Sequence, residues 1–438
     1  MSRPEAKIGL WTATFMVIAN MVGTGVFTSL GFQVVDIKSG FPIELLWVIG
    51  GIAALCGALT YGELGTTLPR SGGEYHLLSR IVHPVVGFLS GWVSATVGFA
   101  APTALAAIAF ATYLSAVLPS IPVVHNAAFV VLLFTALHCW SIVWGSRFNN
   151  ALTALKVILL LVFIVAAFRV PAIQDVTFLP RPGDFDLVLT SAFAVSLVYV
   201  AFAYTGWNAA IYIVGEMEDP HRHLPRALFT GTAVVLVLYA LVNYAFLRTV
   251  PFDVLEGQIE VGYLSASRIF GETGGAIMAV TIALILTSTI SVMIFVGPRI
   301  MQVMGEDFPL LSKLSIRSAK GIPVYAIAVQ SIITLAFIYT ATFEQVLLYA
   351  GFTLNLITAV TVAGVFVLRH REPGIERPYR TWGYPWTPIL FLLLSGWSLA
   401  FMLIDRPQES IAGLLTLTAG LVIYILDYAR SRFFVAAR

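Results

Sequence analysis

Runs of about 20 apolar residues, separated by short stretches that hold nearly all the charges, repeat along the whole chain. A helix needs a run of that length to cross roughly 30 Å of hydrocarbon. Breaking the sequence at charges and Pro/Gly clusters gives twelve such runs, at 9 to 35, 43 to 66, 85 to 118, 125 to 144, 150 to 170, 187 to 215, 227 to 250, 274 to 303, 323 to 341, 345 to 369, 386 to 404 and 410 to 429. The pattern therefore predicts an all-α integral membrane protein. Two of the runs contain segments that resist helix formation. The first reads Ala19-Asn20-Met21-Val22-Gly23-Thr24-Gly25-Val26-Phe27, and the sixth reads Phe202-Ala203-Tyr204-Thr205-Gly206-Trp207-Asn208. Glycine costs about 1 kcal/mol in a helix interior, and a neighbouring β-branched Thr adds to the tendency to open.

Backbone freed at membrane depth must line a cavity or be buried in protein. The two breaks are five helices apart, so each opens a five-helix half. An odd number of helices per half turns the second half upside down in the membrane. Paired interruptions in inverted halves point to a central binding site of the kind secondary transporters use. The competing reading is that Gly23 and Gly25 only permit close helix packing. A nucleotide fingerprint fits poorly, because Thr28 stands where GxGxxG needs its third glycine and no strand precedes it.

Composition agrees with this picture and narrows it. Of 438 residues, 58% are hydrophobic and 11% charged, with a mean hydropathy of +0.89. A soluble domain carries about a quarter charged residues, so ordinary soluble enzymes, disordered chains and nucleic-acid binders with a basic face are excluded. Of the 25 Lys and Arg, Lys38, Arg169, Arg181, Arg248, Arg268 and Arg406 fall on one side of the predicted topology. Lys156 falls inside the fifth span, and the remaining 18 fall on the other side. The positive-inside rule then predicts cytoplasmic N- and C-termini. The polar Met1 to Lys7 leads into a first span and not a signal peptide. Cys56 and Cys139 lie in apolar stretches and predict no disulfide framework or zinc site.

At these residues the chain resembles the amino acid-polyamine-organocation (APC) superfamily, and within it bacterial relatives of the L-type amino acid transporters. Gly23-Thr-Gly-Val-Phe27 is similar to that family's GSGIF-type break. Tyr61-Gly-Glu-Leu-Gly-Thr-Thr-Leu-Pro-Arg-Ser-Gly-Gly-Glu-Tyr75 resembles YAELGxxxPxSGGEY, and Phe202 to Asn208 resembles FAYxGWN. Glu216 to Leu228 is similar to EExxNPxRNxPxAL, and Arg377-Pro-Tyr-Arg with Tyr384-Pro precedes helix 11 as in the family. The resemblance implies a LeuT-like fold of 12 transmembrane helices. It places a first inverted repeat at 1-172, a second at 173-372, and helices 11 and 12 with a cytoplasmic C-terminus at 373-438. It also implies neutral amino acid transport by alternating access in a bacterial inner membrane, without cofactor, metal or nucleic acid.

The chemistry fits such a substrate. Free N–H groups at the start of a half-helix suit a carboxylate, and the family pattern places it at Thr24, Gly25 and Val26. Carbonyls around Met21, Val22 and Gly23 and at Phe202 and Thr205 are expected to accept from the ammonium. The side chain is expected at the sixth-helix break, near Ala203, Thr205 and Gly206. Thr205, in place of an acid found in cationic-substrate relatives, implies a neutral, small to medium amino acid. Phe202 matches the gating aromatic, while Trp207 and Asn208 are expected mainly to hold the shape of the break.

Lys156 matches the helix 5 lysine that stands where sodium sits in sodium-coupled relatives, with Ser288 and Thr289 opposite. Three readings of it remain open: a fixed structural cation, a protonation switch serving a proton symporter, or a snorkelling side chain. Glu63, Glu74, Glu216 and Glu218 are expected to pair with arginines at cytoplasmic helix ends. Motifs for a membrane-embedded enzyme (HExxH, GxSxG, Walker A) and for a channel filter are missing. The loop at Pro119 to Val124 has no cysteine, so no disulfide-linked heavy chain is expected; monomer and homodimer both stay open.

Overall fold

The computed structural model describes residues 8–140, 146–174, 176–177 and 179–436, with side chains in these ranges except 146–154 and 431–436. Arg3, Lys7, Arg147, Arg432 and Arg438, which enter the charge asymmetry, lie outside the described side chains.

The elements in chain order are α1 (Leu10–Met21), α2 (Thr24–Asp36), α3 (Gly40–Thr67), α4 (Gly73–Ile81), α5 (Pro84–Val93), α6 (Ala100–Ser115), α7 (Val123–Trp140), α8 (Ser146–Ala167), α9 (Asp184–Val188) and α10 (Ser191–Ala203). They continue as α11 (Pro220–Thr249), α12 (Phe252–Leu255), α13 (Val261–Asp307), α14 (Val324–Thr340), α15 (Phe343–Arg371), α16 (Trp386–Asp405) and α17 (Pro407–Ala436). A π-turn at Ser94–Gly98 joins α5 to α6, and a 3₁₀ segment at Ala209–Glu216 follows α10. Among the described residues there is no strand, only an isolated backbone bridge between Ile8 and Met217.

Among the described residues, nine helical segments are long and apolar enough to cross a membrane. Three shorter apolar helices, Leu155–Ala167, Ser191–Ala203 and Val324–Thr340, fall on the predicted runs at 150 to 170, 187 to 215 and 323 to 341. The run at 187 to 215 is short as a helix because its second half leaves α geometry after Ala203. The run at 274 to 303 lies in a longer element, α13, which turns sharply at Gly271, where φ is +75°. Glycine alone tolerates that backbone freely.

The interior follows from sequence in a simple way. With no aqueous core to drive helices together, small residues let the backbones approach. Gly50, Gly51 and Gly57 on α3 do this, seating Val200, Leu236 and Trp207 where a Cβ would collide. α3 and α11 form the most extensive helix pair, with α1 packed on the other side of α11. Ile8, just ahead of α1, is also tied down. The Ile8 N–H donates to the Glu216 carbonyl at 2.9 Å, and the Glu218 N–H donates to the Ile8 carbonyl at 2.9 Å.

Candidate functional site: the crossing of two broken helices

Helix α1 ends at Met21 and α2 begins at Thr24, with Val22 and Gly23 in non-helical conformation between them. The first turn of any helix leaves its leading N–H groups without intrahelical partners. In α2 these belong to Gly23, Thr24, Gly25 and Val26. Among the described residues, no carbonyl or side chain accepts from the N–H groups of Thr24, Gly25 or Val26. The positive end of the α2 dipole is thus available inside the protein.

The second break runs from Tyr204 to Asn208, between α10 and the 3₁₀ segment. Gly206 there has φ of +100°. The two breaks touch through their glycines. A Cβ on Gly25 would stand 2.5 Å from the Cα of Ala203, and a Cβ on Gly206 would stand 2.8 Å from the carbonyl carbon of Asn20. Both approaches are backbone to backbone, which explains why glycine occupies these two positions. The crossing is further fixed by Tyr239 of α11, fully buried, whose hydroxyl lies 2.6 Å from the Met21 carbonyl oxygen and 3.2 Å from that of Ala203. One tyrosine therefore joins the ends of both first half-helices.

Other expected residues divide between this crossing and its surroundings. Thr24 (6% exposed), Val22 and Val26 are buried at the start of α2. Phe202 and Ala203 are buried at the end of α10, and the Thr205 hydroxyl donates back to the Phe202 carbonyl at 2.6 Å. Trp207 turns away to pack edge-on against Tyr61 and Phe391. The Asn208 amide donates to the Glu74 carboxylate. A cavity borders the second break on that side, lined by Ala53, Phe202, Thr205, Asn355, Phe391 and Ser398 among others. Its walls are apolar with a few neutral polar groups and no charged side chain.

Lys156 on α8 is 5% exposed, and its ammonium donates to the Thr289 hydroxyl on α13 at 3.1 Å. Ser288, the residue before Thr289, is also buried. A lysine at such depth costs about 2.5 to 3.5 kcal/mol on insertion scales, so it requires partners of this kind.

At the helix ends expected to be cytoplasmic, Glu63 is fully buried and paired. Arg369 donates to both its oxygens, at 2.8 and 2.7 Å, the Thr381 N–H and hydroxyl donate at 2.7 Å, and the Arg377 guanidinium lies 3.6 Å away. Glu74 departs from the expected arginine pairing. Its carboxylate is 5% exposed and accepts from the Tyr61 hydroxyl at 3.2 Å, from the Asn208 amide and from the Tyr212 hydroxyl. α4 begins at Gly73, where φ is +56°, and sets Glu74 against the second break, where Tyr61, Asn208 and Tyr212 take up both its oxygens. On the same helix His76 lies outside the spans. Burial, with Arg70 and Arg80 nearby, holds its imidazole below the ordinary range.

Two residues of this region were not singled out from the sequence. Tyr239 is one of 16 tyrosines and belongs to no motif. Glu44 lies one residue inside the predicted second span, and a charged position there was the available signal.

A multi-pass helical bundle with two interrupted helices crossing at its centre defines a membrane transport protein. The comparisons agree: residues 8–426 match the family model described as amino acid permease. The chain belongs to that family. It is similar to the large neutral amino acids transporter small subunit 2 of Oryctolagus cuniculus, 28% identical over 432 residues, covering 96% of this chain and 80% of the relative. The Homo sapiens counterpart is also 28% identical, over 435 residues, with 96% and 80% covered. The b(0,+)-type amino acid transporter 1 of Mus musculus is 27% identical over 433 residues, covering 96% of this chain and 88% of the relative. The protein is an amino acid transporter.

Proposed function

We propose that the protein moves neutral amino acids across the cytoplasmic membrane by alternating access, as a sodium-independent exchanger or facilitator. The observation that carries this reading is the crossing itself. The unpaired N–H groups of Thr24, Gly25 and Val26 lie where the α2 dipole favours a carboxylate. The candidate acceptors for an ammonium are the carbonyls at the ends of the two first half-helices, of which Met21 and Ala203 accept from Tyr239 and Phe202 accepts from Thr205. The cavity at Thr205 lies among α3, α10, α15 and α16, with no residue of the first break in its lining, and its apolar walls and neutral polar groups suit an uncharged side chain. The name of the first relatives, large neutral amino acids transporter, points the same way.

On this reading Lys156 supplies the positive charge at the place between α8 and α13 where a coupling cation would stand. The helices form a LeuT-like arrangement, with 1-172 and 173-372 as inverted repeats. The loop between α6 and α7 has no cysteine, and Cys56 and Cys139 lie within α3 and α7, so no disulfide-linked subunit attaches there. A second reading is favoured by the words "small subunit" in the relatives' name, which set them beside a larger chain; a partner of this chain is then held without a disulfide. Uptake of a radiolabelled amino acid panel into proteoliposomes, with sodium replaced by choline at constant ionic strength, tests the proposal. Transport of alanine, serine or leucine that is indifferent to sodium is expected. Preference for arginine or lysine, or a steep dependence on sodium, overturns it.

A further inference from the structure

The buried carboxyl of Glu44 has no use in the transport chemistry described so far. It stands just inside the end of α3 that faces away from the chain termini, the external end on the orientation read from the charges, and it is 2% exposed. Neither of its oxygens meets a hydrogen-bond donor among the described residues. One turn along the same face, the indole N–H of Trp47 donates to the Gln33 side-chain oxygen at 3.1 Å, and the Gln33 amide nitrogen, also fully buried, is itself without an acceptor.

Most of the charged and titratable groups on the elements packed round this end are engaged elsewhere, and the exposed Asp36 of α2 and Asp186 of α9 are acids that offer no counter-charge. Tyr204, just past the end of α10, whose hydroxyl faces Glu44, donates to the Trp47 carbonyl at 3.0 Å. Tyr239 of α11 serves Met21 and Ala203, Tyr244 donates to the Val176 carbonyl and Arg248 to the Val170 carbonyl. Asp184 of α9 accepts from Ser39 and from the Arg181 N–H, and Lys38, which follows α2, pairs with Asp253 and Glu256. Among the described residues no Lys, Arg or His forms an ion pair with Glu44.

An ionised carboxylate without donor or counter-charge in a water-excluded site is costly, and a neutral acid is far less so. We propose that Glu44 is a proton-binding site that must be protonated for the external side of the transporter to close. This rests on the alternating-access reading above. Opening of that side hydrates the end of α3, and the carboxyl O–H bond breaks, the proton passing to external water. Closing takes a proton back from the same side. No proton crosses the membrane through Glu44, so external pH governs the rate of uptake and not the level of accumulation.

Two measurements test this. In proteoliposomes at fixed internal pH, initial uptake by the wild type should fall as external pH is raised, approaching tenfold per pH unit at the steepest for a single required proton. E44Q, isosteric and permanently neutral, should show a change below about twofold over the same range. Infrared difference spectra of the purified protein without added substrate, taken between low and high pH, should show a protonated carboxyl band that shifts in deuterium oxide and is missing in E44Q. Absence of that band, or E44Q and wild-type pH profiles that superimpose, overturns the proposal. The spectrum reads Glu44 even if no amino acid in the panel is transported, which separates failure of this site from failure of the transport reading.

Discussion

Replacing Tyr239 with Phe removes a single oxygen from the point where the two breaks are joined. The ring keeps its contacts, edge-on to Trp47 at 5.6 Å and tilted against Tyr204 at 5.0 Å. What is lost is the donor to the Met21 carbonyl at 2.6 Å, shared at 3.2 Å with Ala203. A hydroxyl carries one proton, so the loss amounts to one good hydrogen bond and not two. A buried carbonyl left without a donor costs about 1–3 kcal/mol. If the bridge exists only when the half-helices are drawn together, that energy shifts the balance between closed and open arrangements by about 5- to 150-fold. Proteoliposome kinetics with the substrate presented from each side, together with the melting temperature of the detergent-solubilised protein, read both consequences. The expected outcome is a sided change in apparent KM and a lower maximal rate, with a small loss of thermal stability. Y239F with wild-type kinetics from both sides and an unchanged melting temperature refutes the bridging role.

Substituting Gly25 with Ala puts a methyl group 2.5 Å from the Ala203 backbone, and forcing the two chains apart costs about 1–3 kcal/mol or more, so uptake should be nearly lost while the protein still folds and purifies. Gly206→Ala adds a positive φ of 100° to a similar collision and should be at least as damaging in the same assay. Lys156→Met should abolish uptake in choline medium; retention of wild-type rates sets the buried ammonium aside as a snorkelling side chain. Arg369→Ala strips the bidentate partner from the fully buried Glu63, a change worth about 3–5 kcal/mol, and should lower the melting temperature far more than Arg80→Ala, whose partner Glu372 is partly exposed.

The hydrophobic pattern made the bundle legible because each span must satisfy its own backbone and so announces itself as an apolar run. The breaks were legible for the converse reason: Gly23, Gly25 and Gly206 stand where a span should not contain them. Where short spans end was less visible, since the departure from α geometry after Ala203 depends on contacts with Asn20 and Tyr239. Glu74 was misread because the sequence shows a carboxylate near arginines at a helix end. It does not show that the turn at Gly73 aims the side chain inward, to Tyr61, Asn208 and Tyr212. Tyr239 had no local signal at all, because its role comes from two helices that approach it from distant parts of the chain.

The pair of backbone bonds between Ile8 and the residues 216 and 218 fastens the leading edge of α1 to the far end of the second break. Two levers riveted together have one degree of freedom. The half-helices on that side are thus joined both at Ile8 and at the crossing of Gly25 and Gly206, so that a displacement of one would be carried to the other.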